Sequence, residues 1–190
     1  LVFLKAGVPF ELIDISSDDY HISRKLVIER IRGGSPIRGL LFVRTYGDAT
    51  DAEAFFETVK DIDPSILIVD DRCLAIPKFE TPSTVADLVL YSTGYGKYVD
   101  IGFGGFAHIR DSLPYLRKKV KFSVHDLAVV ERAFKDAIAE RVPYRYIDSH
   151  WLNINPMALT TKAYRIKVTS ELEQMRRIKN RLNEIYRCSL

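Results

Sequence analysis

Two stretches of this sequence set polar side chains directly after apolar runs. In SILIVDDRCLA the run Ile66–Val69 leads into Asp70 and Asp71, with Cys73 two residues on. In ADLVLYSTGYGKYVDIGFGG the run ending at Tyr91 leads into Ser92, Thr93, Tyr95 and Lys97. Where apolar runs are buried parallel strands, ligands lie beyond the carboxyl ends of those strands, so these polar residues are the first candidates for chemistry. Lys97 has Gly94, Gly96, Gly102, Gly104 and Gly105 around it. Glycines permit tight backbone turns and leave space beside them, so this lysine can come close to a bound group. The alternatives are ordinary: aspartates favour turns after strands, and Ser92 and Thr93 can satisfy local backbone. Cys73 reads as an inert buried thiol, since no histidine or basic motif stands by to activate it.

The elements that must position these residues follow from periodicity. Pro9–Ile15 alternates apolar and polar residues and predicts a strand. A helix is expected over Ile22–Ile31, with Ile22, Leu26, Val27 and Ile31 at helical spacing and Gly33 and Gly34 ending it. Leu40–Val43 predicts a buried strand, Asp51–Asp61 a helix carrying Ala54, Phe55 and Val59 on one face, and Ile66–Val69 a second buried strand closed by the two acids. Ala86–Tyr91 and Phe103–Ile109 supply two more strands around the glycine-rich loop. Alternating strands and helices imply parallel pairing, hence an α/β fold with a mainly parallel sheet flanked by helices. The second half predicts helices over Val124–Glu140 and Ser170–Tyr186, the latter with Leu172, Met175, Ile178 and Leu182 on one side. Between them the aromatic segment Tyr144–Trp151 has no assignable pattern.

Composition narrows the classes. The 190 residues are 47% hydrophobic and 28% charged, enough for one packed domain. A formal charge of +3, well mixed along the chain, argues against a nucleic-acid partner, and the basic cluster Arg117–Lys121 reads as a solvated face. Cys73 and Cys188 form neither a disulfide framework nor a zinc motif, which suits a reducing, cytoplasmic setting. His21, His108, His125 and His150 show no metal spacing, so no metal is expected. The apolar runs are far shorter than the roughly 18–20 residues that span a bilayer. Tyr46 and Tyr95, each in a strand-end loop, are candidates to line a substrate site. The chain opens inside an apolar stretch without methionine and closes in a helix, so it reads as cut from a longer protein.

With these residues in view, the sequence resembles a family. An acid ending a buried strand, then Ser92-x-x-x-x-Lys97 preceded by Ala86-Asp87 and followed by Gly104-Gly105, looks like the pyridoxal-phosphate enzymes of the aspartate-aminotransferase fold (fold type I). Within them it is most similar to the DegT-type sugar-nucleotide aminotransferases. AGVPFELIDISSDDYHIS, LLFVRTYGDATDAEAF and NPMALTTKAYRIKVTSELEQMRRIKNRLNEIYRCSL resemble successive segments of that branch, so the likeness covers nearly the whole chain. The resemblance implies that residues 1–190 are one partial large domain lacking its first segment, with a long helix over 170–187 leading toward a small C-terminal domain. It implies pyridoxal 5'-phosphate held by Lys97 as a Schiff base, Asp71 (or Asp70, one register away) at the pyridine nitrogen, Cys73 against the ring, and Ser92 with Thr93 at the phosphate. It implies amino transfer from a small amine donor to a keto sugar nucleotide or related ketone, in a homodimer with shared sites. A lyase or dehydratase reaction and a non-catalytic binding module on the same fold are the alternatives. Leu74 stands where the branch usually has glutamine, and Phe103 where it prefers an acid.

Overall fold

Helix α1 (Arg24–Arg32) starts where Ser23 caps it, the Ser23 hydroxyl accepting from the Leu26 N–H at 3.4 Å. It stops where Gly33 and Gly34 turn the chain, Gly34 at φ +79°. Val27 and Ile31 are its buried residues, while Leu26 is exposed. Strand β1 (Gly39–Val43), helix α2 (Glu53–Ile62), and strands β2 (Leu67–Asp71), β3 (Leu88–Ser92) and β4 (Gly105–Ile109) follow. This is a computed structural model, and it describes residues 8–47, 51–94, 96–102, 104–114, 132, 136, 139–141 and 161–188. Its contacts divide the chain into two units, Leu1–Leu113 and Pro114–Leu190.

The first unit carries a four-stranded sheet in the order β1-β2-β3-β4. β1 and β2 pair in parallel, as do β2 and β3, and β4 closes the edge antiparallel to β3. This is the expected mainly parallel α/β arrangement. One face of the sheet is the core: Leu40 and Phe42 of β1, Ile68 of β2, and Val89 and Tyr91 of β3 alternate inward and are buried. Phe55, Phe56 and Val59 of α2 belong to the same core, with Phe56 edge-on to Phe42 at 5.4 Å between ring centroids. Three aromatic rings, each of large apolar area, make this cluster the main hydrophobic contribution of the unit.

Several expectations are corrected. Pro9–Ile15 is not a strand; its sole pairing is an isolated bridge from Ile15 to Ile22, and Leu12 is 85% exposed. Alternation needs a neighbouring strand to bond with, and this segment has none among the described residues. Ala54 lies on the exposed face of α2, because Phe55 and Phe56 together rotate the buried face toward Ala52, Phe56 and Val59. Asp70 and Asp71 are within β2 rather than beyond it, since the pairing continues through Arg44 N–H to Asp71 O (2.9 Å) and Arg72 N–H to Leu90 O (3.0 Å).

In the second unit, helix α3 (Thr161–Cys188) begins well before the expected Ser170. Val168 is buried, Leu172 and Met175 are half-buried, and Ile178 and Leu182 are exposed. The helix expected over 124–140 lies almost entirely outside the described residues, and the aromatic segment 144–151 wholly so.

Candidate active site

The two neighbouring aspartates of β2 differ by one strand position and therefore face opposite sides of the sheet. Asp70 points into the core face and is fully buried. Arg44, just past β1, grips it with two bonds, Nε to Oδ1 at 2.8 Å and Nη2 to Oδ2 at 3.0 Å. Arg72 adds Nε to Oδ2 at 2.7 Å. Burial works against the charge of Arg72, but the bonds and charge of Asp70, with Tyr91 beside it, outweigh this and raise its pKa. Asp70 is thus occupied as the anion of a buried ionic lock. Asp71 is half-buried on the other face, and its Oδ1 accepts the Cys73 N–H at 2.9 Å.

Cys73 reports what surrounds it. Its thiol is pushed up to about 12, first by burial, then by hydrogen bonding to Asp71 and by the Asp71 charge, while the charge of Lys97 pulls the other way. The charges of Asp71 and Lys97 thus act on this thiol in opposite directions. At neutral pH Cys73 is a neutral thiol and no nucleophile.

Ser92 ends β3 on the same face as Leu90, which pairs with Asp71. Its hydroxyl accepts from Gly94 N–H at 3.4 Å, and a side chain at Gly94 would come within 3.8 Å of that oxygen. The alternation of burial continues into Thr93, which is buried and on the opposite side from Ser92. Beyond it the chain makes a tight loop: Lys97 N–H donates to Gly94 O at 3.3 Å, Ile101 N–H to Thr93 O at 3.0 Å, and Thr93 N–H to Gly104 O at 3.1 Å. Gly96 adopts φ +69° with open space where a side chain would stand, so the backbone before Lys97 is bare on that side. Gly105 is required by close approach, since a Cβ there would lie 2.5 Å from Tyr91 O.

The turn after β1 meets the same edge. A Cβ on Gly47 would lie 2.4 Å from Leu74 O, so the Tyr46–Gly47 backbone abuts the segment that follows Asp71. The side chain of Tyr46 and the residues Tyr95 and Phe103 lie outside the described residues. Asp71, Cys73, Ser92 and Lys97 thus gather at the carboxyl ends of β2 and β3, and Thr93 turns away from them. Sequence reasoning missed Arg44 and Arg72; the signal was there, a charge immediately after LLFV and another after two acids. The donor set is coherent: an amine able to condense with a carbonyl, a carboxylate able to keep a ring nitrogen protonated, and a hydroxyl able to donate to an anionic oxygen. These groups fit an aromatic aldehyde bearing a basic ring nitrogen and a phosphate.

No family-level comparison and no curated protein matches the chain. Solved structures do. An aminotransferase from Psychrobacter cryohalolentis is similar at TM-score 0.51 and 13% identity, over 94% of this chain and 42% of its own. The Escherichia coli GDP-4-keto-6-deoxy-D-mannose-3-dehydratase with bound hydrated pyridoxal phosphate is similar at TM-score 0.51 and 12% identity, over 92% of this chain and 45% of its own. A GDP-4-keto-6-deoxymannose-3-dehydratase with a trapped pyridoxal phosphate–glutamate geminal diamine gives TM-score 0.51 and 14% identity, over 92% and 45%. The chain spans less than half the length of each. At such identities the common property is the fold, and it is the fold expected from the sequence, that of the type I pyridoxal-phosphate enzymes.

Proposed function

We propose that this chain is part of a pyridoxal-phosphate-dependent enzyme that transfers an amino group to a keto sugar nucleotide or related small ketone. The observation that carries the reading is that Asp71 and Ser92 stand on one face at the carboxyl ends of the adjacent parallel strands β2 and β3, with the loop of Lys97 following directly after β3. Pyridoxal phosphate, when bound, supplies an electron sink for a carbanion at the substrate carbon. The rest falls to the chain. The Lys97 amine would hold the cofactor aldehyde and would carry a proton to and from the substrate carbon on its Nζ. Asp71, oriented by the Cys73 N–H, keeps a proton on the ring nitrogen. The two arginine partners of Asp70 favour Asp71 over Asp70 for that role. The Ser92 hydroxyl donates to the phosphate, and Thr93 contributes through the loop backbone it anchors rather than through its hydroxyl. Cys73 offers a small uncharged surface to the ring, and Tyr46 and Tyr95 are proposed to face the substrate.

Likeness to two structures of a GDP-4-keto-6-deoxymannose-3-dehydratase supports a second reading, removal of a hydroxyl from a keto sugar nucleotide. One experiment addresses both. The full-length protein, incubated with pyridoxal phosphate and borohydride, is expected to carry a reduced adduct on Lys97 and none after Lys97→Ala. With a ¹⁵N-labelled amine donor and keto sugar nucleotides, label retained in the sugar product marks amino transfer; a deoxygenated product without label marks the dehydratase. Absence of any adduct on Lys97 overturns both.

A further inference from the structure

The loop that presents Lys97 contains one carboxylate, and it bonds on both sides of the lysine. Asp100 Oδ2 accepts the Gly96 N–H at 3.0 Å, and Asp100 Oδ1 accepts the Gly102 N–H at 2.8 Å. Gly96 directly precedes Lys97, and Gly96 and Gly102 have φ of +69° and +83°. Both glycines lack the side-chain constraint that would hold such a conformation, and glycine loses more freedom on ordering than any other residue. Next to Asp100, Val99 is fully buried and fixes the loop to the body of the unit. A carboxylate anchored beside Val99 and bridging Gly96 to Gly102 leaves the Lys97 backbone little room to move.

We propose that Asp100 is a positioning residue for Lys97: its two oxygens clamp the loop so that the lysine amine is held toward Asp71 and Cys73. The proposal rests on the reading of Lys97 as the cofactor lysine. A charged acceptor suits the task, since bonds from backbone N–H to a carboxylate are stronger than those to neutral oxygens. Losing them would return two amides to water and widen the excursions of the amine, and displacements on the order of 1 Å at a reacting group can lower rates by about a hundredfold. Asp100 is itself exposed and outside the core, so its replacement leaves the packing of the sheet in place.

The test compares wild type, Asp100→Ala and Asp100→Asn in the full chain. The rate at which the absorbance band of the lysine-bound cofactor grows is expected to fall roughly tenfold in Asp100→Ala. Asp100→Asn, which keeps one of the two acceptor oxygens, is expected to fall between the two. Thermal midpoints follow each variant, so that a rate loss at unchanged midpoint separates positioning from unfolding. In the cofactor-free chain, the amide protons of Gly96 and Gly102 are expected to shift together in NMR spectra on Asp100→Ala. Independent behaviour of those amides, or an Asp100→Ala rate equal to wild type, overturns the proposal. A wild-type chain with no adduct on Lys97 overturns the cofactor reading and the positioning role together, whereas a normal wild-type adduct formed equally fast by Asp100→Ala overturns the Asp100 role alone.

Discussion

Cys73 is the residue whose chemistry is most changed by its surroundings. Burial and the Asp71 carboxylate raise its pKa from 9.0 to about 12, so the thiolate is scarce at neutral pH. Alkylation of Cys73 at pH 8 is therefore expected to be on the order of a thousandfold slower in the folded chain than in urea, each pKa unit being tenfold in thiolate. Asp71→Asn removes the raising charge and should speed the reaction; mass-spectrometric time courses of the Cys73 peptide would show it, and equal rates in both states would refute it. The sign for stability is also set. Between pH 9.0 and about 12 the unfolded thiol ionises and the folded one does not, so this group's contribution is whole below that window and is lost as pH rises through it.

At the scale of elements, the lock among Arg44, Asp70 and Arg72 ties the end of β1 to the end of β2. The Arg44 and Asp70 side chains are 6% and 0% exposed, so water gives the pair little screening. Removing the carboxylate alone leaves two guanidinium groups around an empty place. Asp70→Ala is therefore expected to destabilise the protein by about 3–5 kcal/mol, read from urea unfolding. An unchanged urea midpoint would show that the lock contributes nothing. Because Asp71 is the next residue on the same strand, the lock also sets the register that points Asp71 to the opposite face.

At the scale of the whole molecule, no helix among the described residues is long and apolar enough to cross a membrane. We infer a homodimer with shared sites, in which the proposed cofactor residues Lys97, Asp71 and Ser92 would form one wall of the site. Phe106 stacks within its own unit on Phe79 at 4.7 Å and on Tyr91 at 5.1 Å. Phe103, Tyr144, Tyr146 and Trp151 lie outside the described residues. Sedimentation of the full-length protein at low micromolar concentration is expected to give a dimer that loses cofactor on dilution in step with dissociation. A monomer that binds pyridoxal phosphate tightly would refute the shared site.

The parallel strands, the helix ended by Gly33 and Gly34, and the polar residues following the runs at Ile66 and Leu88 were legible along the chain, because burial leaves continuous apolar runs and glycines after a helical pattern mark its end. The glycine-rich loop that carries Lys97 was legible through its glycines. Which face Asp70 and Asp71 each present was not, since that depends on pairing with β1 and β3. The Arg44 and Asp70 partnership spans 26 residues, the inward turn of Thr93 depends on the loop closing onto Gly104, and the failure of Pro9–Ile15 as a strand depends on a missing neighbour. Each is a contact between distant parts of the chain, for which local pattern carries no information.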